Sequence, residues 1–112
     1  MPATLTTHAI EEGTFIITAS FTDEDGQDVV PTTLTWTLTD TEGVVINGRE
    51  DVEVTSPAAS VDIVLKGDDL AIGHAPTAER ILTVEGTYTG AEAGLPIKDQ
   101  VKFVIDGLVA VT

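Results

Sequence analysis

Short runs in which apolar and polar residues alternate recur along the chain. In the clearest run, residues 33–40, Leu34, Trp36 and Leu38 alternate strictly with threonines. A period of two places one kind of residue on each face of a β-strand and does not fit the 3.6-residue period of a helix. The same alternation predicts strands at residues 14–22, 60–66, 79–89 and 98–106. We therefore expect a protein built from β-strands.

Weaker segments and turn signals lie between these strands. They predict short strands at residues 4–10, 44–46 and 51–55, and an edge strand at residues 108–111. Acidic corners that end at Gly26 and Gly43, and the pair Asn47-Gly48, predict tight turns, because glycine and asparagine accept the positive φ that such turns need. Asp68 is the predicted N-cap of one helical turn over residues 68–72.

The number and spacing of these segments indicate the fold class. About seven or eight strands with turns every 8 to 12 residues or so are typical of a β-sandwich. A chain of 112 residues forms one domain with a single core. We predict an all-β antiparallel sandwich that spans residues 1–112. The inward-facing apolar residues of its five clear strands form the predicted core: Phe15, Ile17, Phe21, Leu34, Trp36, Leu38, Val61, Ile63, Leu65, Leu82, Val84, Tyr88, Val101, Phe103 and Ile105.

Composition and charge narrow the classes of partner. The chain has no cysteine, which excludes disulfides and thiol catalysis. Its five lysines and arginines face nineteen aspartates and glutamates, for a formal charge of −14. Such a charge repels phosphate backbones, so we expect no nucleic acid as a partner; a basic protein surface, a cation or simple solubility remain. The sequence shows neither an export signal nor an apolar stretch long enough to span a membrane, so we expect no membrane partner.

Two resemblances follow from particular residues. Trp36, on the third predicted strand, resembles the core tryptophan of immunoglobulin-like (Ig-like) domains, which implies an Ig-like β-sandwich. Several segments resemble small Ig-like structural proteins of tailed bacteriophages: Phe21-Thr-Asp-Glu-Asp-Gly26, Trp36-Thr-Leu-Thr-Asp-Thr-Glu-Gly43, Gly67-Asp-Asp-Leu70, Glu79-Arg-Ile-Leu-Thr-Val-Glu-Gly-Thr-Tyr88 and Leu95-Pro-Ile-Lys-Asp-Gln-Val-Lys-Phe103. This second resemblance covers about residues 15 to 110.

The phage resemblance implies a virion protein that is made in the host cytoplasm and binds a capsid or other virion protein. A capsid decoration or cement protein on the outer surface of the shell is the first expectation. A tail-tube, neck or baseplate accessory protein is an alternative, since the same kind of domain resembles modules placed there. A secreted adhesion or carbohydrate-binding module is a further alternative, because it would use the same sandwich.

The acidic corner at residues 23–28 is a candidate cation site. Asp23, Asp25 and Asp28 imitate the opening of a calcium loop, in which carboxylates at alternate positions converge on a hard cation. The glycine comes directly after the second aspartate, however, and no glutamate stands where a 12-residue loop requires one. A structural turn is therefore the favoured interpretation, and a calcium-dependent module the alternative. His8 and His74 are far apart in the sequence and do not predict a metal site.

The chain offers little for catalysis. Ser20, Ser56 and Ser60 are not bounded by the glycines of a nucleophile elbow. Its five aromatic residues are too few to line a cleft between paired carboxylates. We expect no enzymatic activity and no cofactor.

Apolar residues on otherwise polar strand faces are the candidate interface. Ile16, Val64, Ile81 and Val104 interrupt such faces. Scattered single apolar residues are the favoured interpretation, and an exposed apolar patch that docks another subunit is the alternative. Residues 1–7 carry no charge, and Leu108, Val109 and Val111 lie in a second uncharged segment. Either segment is suited to add a strand to a sheet edge of a neighbour, which leaves a homo-oligomer open. Pairing with an edge of the protein's own sheet is an equal alternative.

Overall fold

The structure is a computed structural model that describes residues 3–4, 8–23, 25–73 and 75–108. This part of the chain forms strands and one short 3₁₀ turn at Gly67–Leu70. Its eight strands are β1 Ala3–Thr4, β2 Ala9–Ile10, β3 Thr14–Ser20, β4 Thr33–Thr39, β5 Val52–Glu53, β6 Ser60–Lys66, β7 Thr77–Tyr88 and β8 Leu95–Asp106. The alternating sequence pattern accounts for every strand of seven residues or more.

The strands form two sheets. The larger sheet has the order β1-β8-β7-β4-β5, with β2 on the same edge of β8 as β1. The smaller sheet pairs β3 with β6. Both sheets contribute side chains to one core, so the predicted all-β sandwich is confirmed. The prediction that all strands are antiparallel is wrong, because β1 and β2 both run parallel to β8.

The core lies between the two sheets. Buried apolar side chains come from the predicted faces of β4, β6, β7 and β8, and Leu38, Leu65 and Phe103 are fully covered. Phe15, Val61 and Val101 were predicted to be core residues, but they are only half-buried and pack against the core from its margin. Two further core residues, Ala9 and Leu70, were not predicted, because each lies in a segment too short to show a period.

Several predicted elements differ from the observed ones. The first strand, expected at residues 4–10, is split into β1 and β2, and residues 5–7 lie outside the described part. Residues 44–46 form only a single bridge, between Val45 and Thr39, because the corner at Asp40 holds the chain in a turn. Strand β8 begins earlier than expected and includes Pro96, which an edge strand tolerates where its N–H would face outward.

The turn at Asn47-Gly48 is formed as predicted. Both residues have positive φ, 53° and 65°, and the Arg49 N–H donates to the carbonyl of Ile46 at 3.0 Å. These are the features of the turn in which asparagine and glycine are favoured. The turn places Arg49 beside the ring of Trp36, with its guanidinium carbon 5.9 Å from the ring centroid.

Candidate protein-binding surfaces

The two acidic corners share one hydrogen-bonding geometry. The Asp23 carboxylate accepts the backbone N–H groups of Asp25 and Gln27, both at 2.9 Å. The Asp40 carboxylate accepts those of Glu42 at 2.8 Å and Val44 at 3.0 Å. Each aspartate therefore closes a turn with its own side chain, which supports the structural interpretation of these corners. Hydrogen bonds from Val44 and then Glu42 lower the pKa of Asp40.

The candidate cation ligands do not converge. In residues 8–23, 25–73 and 75–108, no group of three histidine, aspartate or glutamate side chains is arranged to hold a metal ion. Asp25 and Asp28 are exposed on the corner that Asp23 closes. His8 lies beside Asp106, with Nδ1 3.0 Å from the nearer carboxylate oxygen, and His74 lies outside the described residues.

The candidate nucleophiles lie apart from His8. Ser20 ends β3 and faces Ser60 at the start of β6, with the two hydroxyl oxygens 3.5 Å apart. His8 lies next to the opposite end of the sandwich, where β2 pairs with the end of β8. Ser56 is exposed in the connection between β5 and β6.

Asp69 is a buried anchor that the sequence analysis missed. Its side chain is 0% exposed and accepts Arg49 Nε at 2.7 Å, Asn47 Nδ2 at 2.9 Å and the backbone N–H of Lys66 at 3.1 Å. The prediction that Asp68 is the N-cap of the helical turn is wrong. The N-cap of the 3₁₀ turn at Gly67–Leu70 is Lys66, whose backbone N–H donates to Asp69, and Asp68 is exposed. The sequence held one signal for this contact. Arg49 is the only lysine or arginine before Lys66, so it is the one strongly basic side chain that the acidic residues of this part of the chain can pair with.

The outer face of the small sheet carries an exposed apolar pair. Ile16 and Val64 are direct cross-strand partners, 54% and 45% exposed. The rows on either side are polar: Thr14 opposite Lys66 on one side, and Thr18 opposite Asp62 on the other. The Thr18 hydroxyl donates to Asp62 at 2.7 Å. Two of the four predicted patch residues thus form one small apolar site with a polar surround.

The other two predicted patch residues lie on the opposite side of the sandwich. Ile81 and Val104 are half-buried on the outer face of the large sheet. Lys102 lies opposite Ile81 and Glu79 lies opposite Val104. An ion pair of 3.0 Å between Lys102 and Glu79 runs diagonally across them. The four residues therefore form two separate sites, and only the Ile16–Val64 pair is open.

Of the C-terminal interface candidates Leu108, Val109 and Val111, the first is held by a hydrogen bond. Leu108 is 44% exposed, and its N–H donates to the Glu11 carboxylate at 3.1 Å. Glu11 is itself buried, and its N–H donates to the carbonyl of Asp106. Val109 and Val111 lie outside the described residues, as do most of residues 1–7.

A groove opens along one side of the sandwich, between the end of β3 and the start of β8. It encloses about 440 Å³, and a smaller recess of about 90 Å³ continues it toward Ile17 and Val101. Its floor is apolar and its rim is polar. The floor contains Ala19, Phe21, Val84, Tyr88 and Ile97, and the rim contains Thr18, Ser20, Thr22, Asp23, Lys98 and Asp99. No sequence pattern pointed to this groove, because it depends on which strands become neighbours.

The structure and the comparisons leave these surfaces as the candidate sites. Within the described ranges, no helix is long and apolar enough to cross a membrane. The chain matches no protein-family model, no curated protein and no solved structure.

Proposed function

We propose that this β-sandwich is a non-enzymatic virion protein of a tailed phage that decorates the outer surface of the capsid. The observation that carries the binding role is the exposed Ile16–Val64 pair in the middle of the small sheet's outer face. Full burial of such a side chain contributes about 1.5–3 kcal/mol. Both are already about half covered, so docking would add about 1 kcal/mol from each.

The phage assignment rests on the resemblance of the turn and strand sequences quoted above. The charge supports the position within the particle. A molecule of formal charge −14 is repelled by packaged DNA and suits the outside of the shell. A protein that binds the assembled shell, and not its separate subunits, stabilises the shell by mass action.

The binding role is tested with a paired set of variants. Ile16→Thr/Val64→Thr removes the apolar pair and keeps β-branched side chains on both strands. The control is Val30→Thr/Val44→Thr, which changes two other valines that are 57% and 58% exposed. Both proteins should keep the circular dichroism spectrum of the native protein. Cosedimentation with genome-free capsids should show affinity about tenfold weaker for the first variant and unchanged for the control.

Two results would count against this assignment. Labelling of isolated tails with no labelling of capsids would place the protein in the tail, as an accessory module. Equal capsid affinity of both variants would remove the Ile16–Val64 face from the interface.

A further inference from the structure

We propose that the groove between β3 and β8 binds an extended, positively charged segment of a partner protein, which adds to the edge of β8 as a β-strand. This site lies apart from the Ile16–Val64 pair, whose side chains are on the outer face of the small sheet. The inference concerns binding by the isolated protein and does not depend on the capsid role.

Among the described residues, nothing pairs with the outer edge of the first half of β8. On this edge β1 pairs only at Val101 and Lys102, and β2 only at Ile105 and Asp106. No described strand pairs with this edge between Leu95 and Gln100. An unpaired edge presents backbone N–H and C=O groups that a further strand can satisfy.

Along β8, alternate residues form backbone hydrogen bonds with β7, and the residues between them direct their N–H and C=O groups to the other edge. The Gly107 N–H donates to the carbonyl of Pro76, so Gly107 and every second residue before it bond to β7. Lys98 falls in the other half of the alternation, and its N–H and C=O point away from β7 toward the open side. Gln100 shares this phase, and its N–H already donates to the Asp99 carboxylate at 2.8 Å.

The groove floor fits alternate side chains of such a strand. Phe21, Val84 and Tyr88 are buried at its base, while Ala19 and Ile97 remain half-buried because nothing in the described chain covers them. A strand of five residues beside residues 96–100 would extend about 17 Å along the edge. Every second side chain would point onto this apolar floor, and the others would face solvent.

Charge identifies the kind of segment. Asp23 and Asp99 both line the groove, and Asp99 lies on the strand face that points toward the core. The Asp99 carboxylate would repel an acidic strand, and an apolar strand would bury its charge without a partner. A strand that brings a cation to this carboxylate avoids both costs. A second copy of this chain also carries −14, and Arg49 and Lys102 are engaged in ion pairs. The complementary occupant is therefore a strand with lysine or arginine among small apolar residues.

The experiment uses a fluorescent, capped peptide as the probe, in which valines and one lysine occupy the alternate positions that face the groove floor and threonine occupies the positions between them. Its counterparts are the same peptide with glutamate for lysine, and the lysine peptide with one central proline. Fluorescence anisotropy with the intact protein should show binding of the lysine peptide and little binding of the other two. Backbone amide signals of Lys98 and Gln100 should shift on titration.

Two variants separate the backbone contribution from the charge contribution. Lys98→Pro deletes the free N–H while removing a positive charge, whereas Lys98→Gln removes the charge and keeps the N–H. Binding should be lost with proline and equal or tighter with glutamine. Asp99→Asn should weaken binding about two- to fivefold, and Glu42→Gln, in the turn after β4, should leave it unchanged.

Three outcomes would overturn the proposal. Equal binding of the lysine and glutamate peptides would exclude charge recognition. Unchanged binding by Lys98→Pro would exclude strand addition at this edge. Concentration-dependent self-association that protects the Lys98 amide would show that the occupant is a second copy.

Discussion

Asp68 and Asp69 are neighbours in the chain and have opposite surroundings. Asp68 is exposed, whereas Asp69 is fully buried and holds the loop after β4 to the end of β6 through Arg49 and Lys66. Burial acts to raise the pKa of Asp69. The hydrogen bonds from Arg49 and Asn47, then from the Lys66 N–H, outweigh it and lower the pKa below its ordinary value of 3.8.

The pair of aspartates gives a matched stability prediction. Asp69→Asn should lower the free energy of unfolding by about 2 kcal/mol, because it removes the charge that Arg49 and two other donors satisfy inside the protein. Asp68→Asn should change it by less than about 0.5 kcal/mol. Urea unfolding near neutral pH measures both. Equal effects of the two variants would show that Asp69 is not the anchor.

The same comparison has a defined pH dependence. The pKa of Asp69 is lowered in the folded protein, so its carboxylate contributes to the free energy of unfolding at pH values above the ordinary pKa of 3.8. That contribution is lost as pH falls through the folded pKa. The difference between the native protein and Asp69→Asn should therefore be constant from about pH 7 to about pH 5 and shrink below about pH 3.8. A difference that grows in acid would contradict the assigned direction.

At the scale of elements, the contact between β4 and β7 depends on one glycine. Gly86 lies opposite Leu34, and a Cβ at this position would overlap the carbonyl oxygen of Thr33. Backbone atoms of a paired strand cannot turn aside as a side chain can. A side chain at residue 86 would therefore push β4 away from β7 in the middle of the larger sheet.

Gly86→Ala should accordingly lower the free energy of unfolding by about 1–3 kcal/mol. Glu85→Ala is the control, because Glu85 is the exposed neighbour on the same strand and its change should cost less than about 0.5 kcal/mol. Urea midpoints of the two variants provide the measurement. A Gly86→Ala protein as stable as the control would mean that β4 and β7 are not so closely apposed.

Elements with strict alternation could be predicted from the sequence, and pairing between elements could not. The Leu34, Trp36 and Leu38 face placed β4 correctly, because burial of one face imposes the period. The sequence does not specify which residues of two strands lie opposite each other. The pairing of Ile16 with Val64, and the position of Ile81 on the other sheet, could therefore be determined only from the structure. The groove and the Arg49–Asp69 contact depend likewise on distant segments meeting.

At the scale of the whole molecule, excess negative charge is spread over a narrow body. The formal charge of −14 lies within extents of 52 × 24 × 23 Å, so many carboxylates are separated by distances over which salt screens effectively. Two ion pairs in the described residues oppose this repulsion: Arg49–Asp69 and Lys102–Glu79. Of these, Arg49–Asp69 has a fully buried partner, whereas Lys102–Glu79 is exposed and contributes little at the surface.

Repulsion should therefore dominate the response to salt. Raising sodium chloride from about 0.01 M to about 0.5 M shortens the screening length from about 30 Å to a few ångströms. The Tm measured by calorimetry at neutral pH should rise by several degrees, since about 1 kcal/mol corresponds to about 4–8 °C for a domain near this size.

A charge-reduced variant separates screening from a general salt effect on burial. Asp25→Asn/Asp28→Asn changes the formal charge from −14 to −12 at two exposed positions outside the two ion pairs. Because it relieves repulsion directly, its Tm should exceed that of the native protein at low salt and converge with it at high salt. A parallel rise of both proteins would instead indicate that salt strengthens apolar burial. A fall of Tm with salt would mean that the ion pairs outweigh the repulsion.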